Sequence, residues 1–207
     1  DAKGKPMSAG WAGIPDKGPV TAMFVTGMLL MLANMSIEPI ITVYVATLVR
    51  DAAQVTMVAG VVMSAAALGS ILSAAQLGKL ADRIGHWNVI VACLAVSALL
   101  LVPQAFVTAG WQLVLLRFLM GLSLGGLLPC IAAVIRHNVP ENAAGHMLGY
   151  SVSAQYVGQV AGPLLGGYVG GHIGMRAVFI GTCVLMAVGA LGNAWAQRRR
   201  LGAATAS

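Results

Sequence analysis

Glu38 is the only acidic residue within the long apolar runs of this sequence, and Pro39 follows it directly. A proline in a helix frees the carbonyl group four residues earlier, here that of Met35, and bends the helix. A bend of this kind suits a helix that borders a cavity. We therefore expect Glu38 to be a candidate proton-binding group, while a structural ion pair or a water-facing position near the outer surface remains the alternative.

Arg117 is a basic residue inside an apolar run, within the segment Leu116–Gly121. An arginine at such a depth normally faces protein or water. It lies only roughly 8 Å from the end of its run, so a side chain that simply reaches the surface is the alternative. We hypothesise that Glu38 and Arg117 pair in one conformation and that protonation of Glu38 releases the pair.

Polar side chains form a stripe along a later apolar run. At about 100° per residue, Ser151, Gln155 and Gln159 project in the same direction as Gly162 and Gly166. The two glutamines could line a substrate path or bond between helices. The candidates for lining a path are the polar residues of this run and of the run that carries Glu38: Asn34, Tyr44, Gln155 and Gln159.

The elements that carry these residues are predicted to be transmembrane helices. The chain has 207 residues, of which 58% are hydrophobic and only 9% charged, whereas soluble domains average about 25% charged residues. A helix needs about 20 apolar residues to cross the hydrocarbon core. The apolar runs predict an all-α bundle of six spans, near residues 20–46, 55–77, 89–106, 112–135, 147–169 and 176–195.

Basic residues predict the orientation of this bundle. They concentrate in residues 1–17, in the connections at 78–88 and 136–146, and in residues 197–207, whereas the opposite side has only Arg50 and Arg176. The positive-inside rule then predicts that both termini are cytoplasmic. We expect a linker at 1–17, a transmembrane bundle at 18–196 and a basic tail at 197–207. The net charge of +6 is spread among short connections, so no nucleic acid partner is expected.

The segment Gly78–His86 reads GKLADRIGH and resembles the G-x-L-a-D-r-x-G-r-k loop of the major facilitator superfamily. In that family, the loop latches one conformation at the cytoplasmic face, which implies the same role for Gly78, Asp82, Arg83 and Gly85. His86 replaces the usual arginine, which puts one charge contact in doubt. An ordinary charged turn is the alternative.

The segment Gly158-x-x-x-Gly162-Pro163-x-x-Gly166-Gly167 is similar to a glycine signature of the antiporters in this family. Glycines four residues apart leave one helix face bare, so another helix can approach closely. Small-residue stripes occur in many membrane bundles, so the segment indicates helix packing more directly than it indicates antiport.

With the segment at 176–179 and the basic tail, these motifs resemble the second half of the bacterial multidrug-efflux branch. The resemblance implies one half of a twelve-span fold with a three-plus-three inverted repeat in each half, located in the inner membrane and exchanging a small organic molecule for protons. Its partners would be membrane lipids, its substrate, protons and an N-terminal six-helix half. The glycine signature is more typical of the first half of such proteins, which leaves open which half this is.

Other function classes find less support in the sequence. No phosphate-binding G-x-x-x-x-G-K-[ST] segment is present, and no metalloprotease or serine hydrolase motif occurs. We therefore expect no enzyme activity, no cofactor and no metal. The alternative function is a small six-span protein that acts as a homodimer or as a non-transporting receptor.

Overall fold

The structure is a computed structural model, and it describes residues 11, 14, 16–49 and 51–204. This part of the chain is almost entirely helical. Its helices are α1 (Lys17–Leu48), α2 (Ala52–Ile84), α3 (His86–Gln104), α4 (Gly110–Leu124), α5 (Leu127–His137), α6 (Glu141–His172) and α7 (Met175–Ala204).

Six helical rods result, because α4 and α5 form one candidate span from Gly110 to His137. A short turn at Gly125 and Gly126 separates the two helices. Among the described residues, five rods are both long and apolar enough to cross a membrane. The rod outside this set is α6, which has 32 residues but carries many glycine and polar residues. The all-α bundle predicted from the apolar runs is thus confirmed.

The rods pack in a pattern with internal symmetry. The largest contacts join α1 to α6, α2 to α4 and α3 to α7. If the first three spans are exchanged with the last three, α1 takes the place of α4 and α6 takes the place of α2. The contact of α1 with α6 then corresponds to the contact of α4 with α2. The contact of α3 with α7 corresponds to itself. This is the symmetry of a three-plus-three inverted repeat, which is visible in the packing although the sequence shows no convincing repeat.

The connections on the predicted cytoplasmic side are shorter than the sequence indicated. We expected loops at 78–88 and 136–146, but α2 continues to Ile84, α3 begins at His86, and only residues 138–140 separate α5 from α6. Gly85 alone joins α2 to α3, with a φ of 94°. The prediction was wrong because polar residues mark the end of the apolar run, whereas the helix itself ends where glycine adopts a positive φ.

Helices extend to both ends of the described chain segment 16–204. Asp16 caps α1, since its carboxylate accepts a hydrogen bond of 3.0 Å from the backbone N–H of Gly18. At the other end, α7 runs through Arg198, Arg199 and Arg200. Most of the predicted linker, the last three residues of the predicted tail and Arg50 lie outside the described residues, so the division into linker, bundle and tail stays a prediction.

Candidate functional site

Glu38 lies on the outward face of α1, because its side chain is exposed while Ser36 and Ile37 are buried. Pro39 lies inside the helix and provides no N–H for the carbonyl of Met35. Among the described residues, no ion pair holds the Glu38 carboxylate. An intramembrane acid that the bundle leaves uncovered is available to a proton, to water or to another transmembrane surface.

Arg117 lies inside the bundle and does not reach the surface. Arg117 is 4% exposed, and its Nε and Nη2 atoms have no hydrogen-bond partner among the described residues. Glu38 lies about ten residues before the end of α1 and Arg117 about seven residues after the start of α4, so their depths differ by only about 5 Å. A buried cation with unpartnered donor atoms is costly, and a carboxylate at the same depth would offset part of that cost.

The polar stripe of α6 divides between two environments. Ser151 is buried, and Gln155 donates from Nε2 to the Ser151 hydroxyl at 3.4 Å. Gln155 also packs against α1, where a Cβ atom on Gly27 would lie 3.2 Å from its Cγ. Gln159 is exposed and Asn34 is half-buried. Gln155 therefore joins two helices, while Gln159 remains open to a ligand.

Tyr44 lies at the other end of α1, roughly 25 Å along the helix axis from Gly27. Its hydroxyl donates a hydrogen bond of 3.0 Å to the backbone carbonyl of Gln104. Its ring lies 5.1 Å from the ring of Phe179. The structure therefore does not bring Tyr44 together with Gln155 and Gln159, although Tyr44 does border a groove of about 610 Å³ beside Arg176.

The predicted latch residues occupy the last turns of α2 and the residue after it. Gly85 makes the turn, whereas Gly78 lies within the helix with open space around its Cα. The Asp82 carboxylate lies 3.7 Å from Nε2 of His86, and Arg83 is exposed. His86, which departs from the family pattern, thus places its ring beside the Asp82 carboxylate.

The glycine stripe of α6 faces α1 at very short range. A Cβ atom at Gly158 would overlap the carbonyl oxygen of Met28, and one at Gly166 would overlap that of Ser36. At Gly162, a Cβ atom would lie 2.8 Å from the carbonyl oxygen of Leu32. Backbone meets backbone along this line, which is the packing that small residues allow between membrane helices.

Two members of the predicted packing set lie outside this contact. Pro163 and Gly167 are exposed, and a Cβ atom at Gly167 would meet nothing within 4 Å. Gly167 therefore lies away from the contact with α1.

A second close contact, between α2 and α4, was not predicted from the sequence. A Cβ atom at Gly121 would overlap the carbonyl oxygen of Ala66, and one at Gly125 would overlap that of Ser70. Gly69 makes the reciprocal approach to the carbonyl oxygen of Phe118. The spacing Gly121-x-x-x-Gly125 could have indicated this contact.

Comparison with known proteins gives a consistent family match. Residues 23–205 match the family described as Major Facilitator Superfamily. The chain is 40% identical over 181 residues to the multidrug resistance protein MdtG of Serratia proteamaculans, which covers 87% of this chain and 44% of that protein. It is 38% identical over 180 residues to the protein of the same name from Enterobacter lignolyticus, with 87% and 43% covered. The chain thus spans less than half the length of these relatives.

Proposed function

The chain belongs to the major facilitator superfamily, and on that basis we propose that it is one six-helix half of a proton-coupled drug efflux transporter. The family match confirms the family predicted from the loop and glycine motifs, and the multidrug resistance relatives confirm the branch. This family contains transporters and not enzymes, in agreement with the prediction of no enzyme activity. The chain is a multi-pass membrane protein.

The relation between Glu38 and Arg117 carries the proposal of proton coupling. Arg117 is a buried guanidinium with two nitrogen atoms that lack a partner among the described residues, and Glu38 is an exposed carboxylate at a similar depth on α1. Ionised Glu38 attracts the cation and offsets part of the cost of its burial. A proton on Glu38 removes that attraction, so the two protonation states favour different arrangements of α1 and α4. Proton coupling requires such a difference, because proton binding must change the side of the membrane to which the cavity opens.

The substrate class follows from the relatives, whose printed names are those of multidrug resistance proteins. We propose that the chain moves small organic molecules along a path bordered by Asn34, Gln155 and Gln159. Gln159 is exposed and Asn34 is half-buried, so both can reach a ligand that passes along α1 and α6. Tyr44 would act near the opposite end of the path.

The remaining elements have proposed structural roles. The latch residues Gly78, Asp82, Arg83 and Gly85 would hold one conformation at the cytoplasmic face. The glycine contact between α1 and α6 would keep the two helices moving together. Because the chain spans less than half of its relatives, the transport activity would require a second six-helix half, the N-terminal one if this chain is C-terminal.

A transport assay of Glu38→Gln tests the proton-coupling proposal. The variant is assembled with the first half in membrane vesicles, and drug efflux is driven by a proton gradient while drug binding is measured separately. We expect proton-driven efflux to be lost and drug binding to remain. Glu141→Gln, which neutralises an exposed acid at the start of α6, is the control and retains efflux.

Two outcomes would contradict parts of the proposal. Normal pumping by Glu38→Gln against a drug gradient would show that Glu38 is structural and that the proton site lies in the other half. Drug transport by this chain without a first half would favour the homodimer alternative.

A further inference from the structure

A groove of about 690 Å³ lies between the first turns of α1 and the last turns of α7. Val25 and Leu29 line it from α1, and Val188 lines it from α7. Gly189 and Gly192 also lie along the α7 wall and leave it without side chains. An open apolar groove between helices can hold an acyl chain or another apolar surface.

One end of this groove is basic. Lys17, Arg199 and Arg200 line it together with one acid, Asp16. Asp16 is engaged by Arg200, with 3.5 Å between Oδ2 and Nε, and Arg200 also donates to Asn138 Oδ1 at 2.8 Å. Among the described residues, no carboxylate pairs with Lys17 or Arg199. Each of these two cations contacts a tryptophan ring, Lys17 that of Trp11 at 6.0 Å and Arg199 that of Trp195, and their charges can bind an anion at the rim.

Tryptophan side chains fix the depth of this basic rim. The Arg199 guanidinium lies 3.7 Å from the ring centroid of Trp195, whose residue is 57% exposed. Trp87 lies 5.7 Å from Arg200 and donates from Nε1 to the Asn193 carbonyl at 2.8 Å. Tryptophan concentrates at the level of the lipid headgroups, so the rim lies where a lipid phosphate would be, and the apolar wall lies where its chains would be.

We propose that this groove binds an anionic phospholipid, with the phosphate on Lys17 and Arg199 and one acyl chain along the wall of α1 and α7. Charge complementarity selects this occupant, because the unpaired rim charge is positive and the wall is apolar. Basic pockets between transmembrane helices bind anionic headgroups in this way. A symmetric contact with a second copy would place the two positive rims against each other. The inference concerns lipid binding and is independent of the proposed transport.

Lipid retention tests the proposal directly. The full-length protein in detergent is titrated with phosphatidylglycerol, and the bound lipid is counted by native mass spectrometry. Lys17→Gln with Arg199→Gln should weaken retention about thirtyfold, since each basic residue contributes about 1 kcal/mol to binding of an anionic headgroup. Lys79→Gln with Arg136→Gln is the matched control, since it removes two exposed basic residues that do not line the groove. This control should retain phosphatidylglycerol as the unmodified protein does.

A second pair of variants tests the apolar wall without changing charge. Gly192→Leu places a side chain in the groove, whereas Gly181→Leu places one on the same helix outside it, and neither Cβ atom meets an atom within 4 Å. We expect the first variant alone to lose phosphatidylglycerol. Phosphatidylcholine tests the need for net negative charge, and glycerol 3-phosphate tests the need for an acyl chain. Both should be retained far less than phosphatidylglycerol.

Several results would overturn the proposal. They are equal retention by all four variants, equal retention of phosphatidylcholine, and competition by glycerol 3-phosphate at the same concentration as the lipid. A change in oligomeric state in the rim or wall variants, with lipid retention unaltered, would assign the groove to a protein contact instead.

Discussion

Gly166 of α6 lies so close to the backbone carbonyl oxygen of Ser36 in α1 that a Cβ atom at position 166 would overlap it. Ser36 is buried, and its hydroxyl donates to the Leu32 carbonyl at 2.7 Å. Glu38 follows within the next turn. The helix segment that carries the proposed proton site therefore rests directly on the backbone of α6, and its position depends on the absence of a side chain at Gly166.

This relationship predicts different results for two adjacent glycines. Gly166→Ala introduces an overlapping Cβ atom, and we expect it to reduce the free energy of unfolding by about 1–3 kcal/mol. Gly167→Ala places its Cβ atom in open space and should be neutral or stabilising, because alanine is the better helix former by about 1 kcal/mol. Thermal unfolding in mild detergent measures both. Equal melting temperatures would contradict the packing argument.

A second prediction compares the two glycines of the latch segment. Gly85 has a φ of 94° and a ψ of 135°, a conformation that costs a residue with a side chain about 1–3 kcal/mol, so Gly85→Ala should lower the melting temperature. Gly78 lies inside α2 with open space around it, so Gly78→Ala should raise the free energy of unfolding by about 0.5–1 kcal/mol. Tolerance of alanine at position 85 would show that the turn can form without a positive φ.

Membrane orientation is a third prediction, because the positive-inside rule gives it and the packing does not. Thr108 lies in the connection before α4, Asn142 lies at the start of α6, and both are exposed. In a protein with Cys93, Cys130 and Cys183 replaced, an impermeant thiol reagent added outside should label Thr108→Cys but not Asn142→Cys. The opposite labelling pattern would invert the topology.

The sequence was sufficient for the fold because the dominant requirement is local. A stretch of about 20 apolar residues can satisfy its backbone in lipid only as a helix or in a closed barrel, so α1, α3 and α7 could be predicted one at a time. The exact ends of the helices could not be predicted in this way. Helix α2, for example, continues past its apolar run into the residues around Asp82. Polarity marks the membrane surface and leaves the end of a helix undetermined.

The candidate site was harder to predict because it depends on which helix faces lie together. The exposure of Glu38 and the burial of Arg117 follow from the packing of the helices, which a single helix does not specify. Tyr44 borders the groove beside Arg176, and its hydroxyl is bonded to the carbonyl of Gln104, 60 residues away in the chain. A side chain's partners are a long-range property, and residues far apart in the chain supply them.

The last prediction concerns Arg117, whose Nε and Nη2 atoms are buried without partners. Glu38 is exposed, so an apolar side chain at position 117 would leave no charge buried without a partner and would remove the desolvation cost of the guanidinium. We therefore expect Arg117→Met to retain or raise the melting temperature in detergent and to lose proton-driven efflux in vesicles.

Asn193→Leu is the control for loss of a buried polar group, because Nδ2 of Asn193 donates to Thr26 Oγ1 at 2.7 Å and to the Gly189 carbonyl at 2.8 Å. Removing these bonded groups should cost about 1–3 kcal/mol of unfolding free energy. If Arg117→Met is destabilised as much as this control, the arginine is structural. Efflux at the unmodified rate would show that proton coupling proceeds without it.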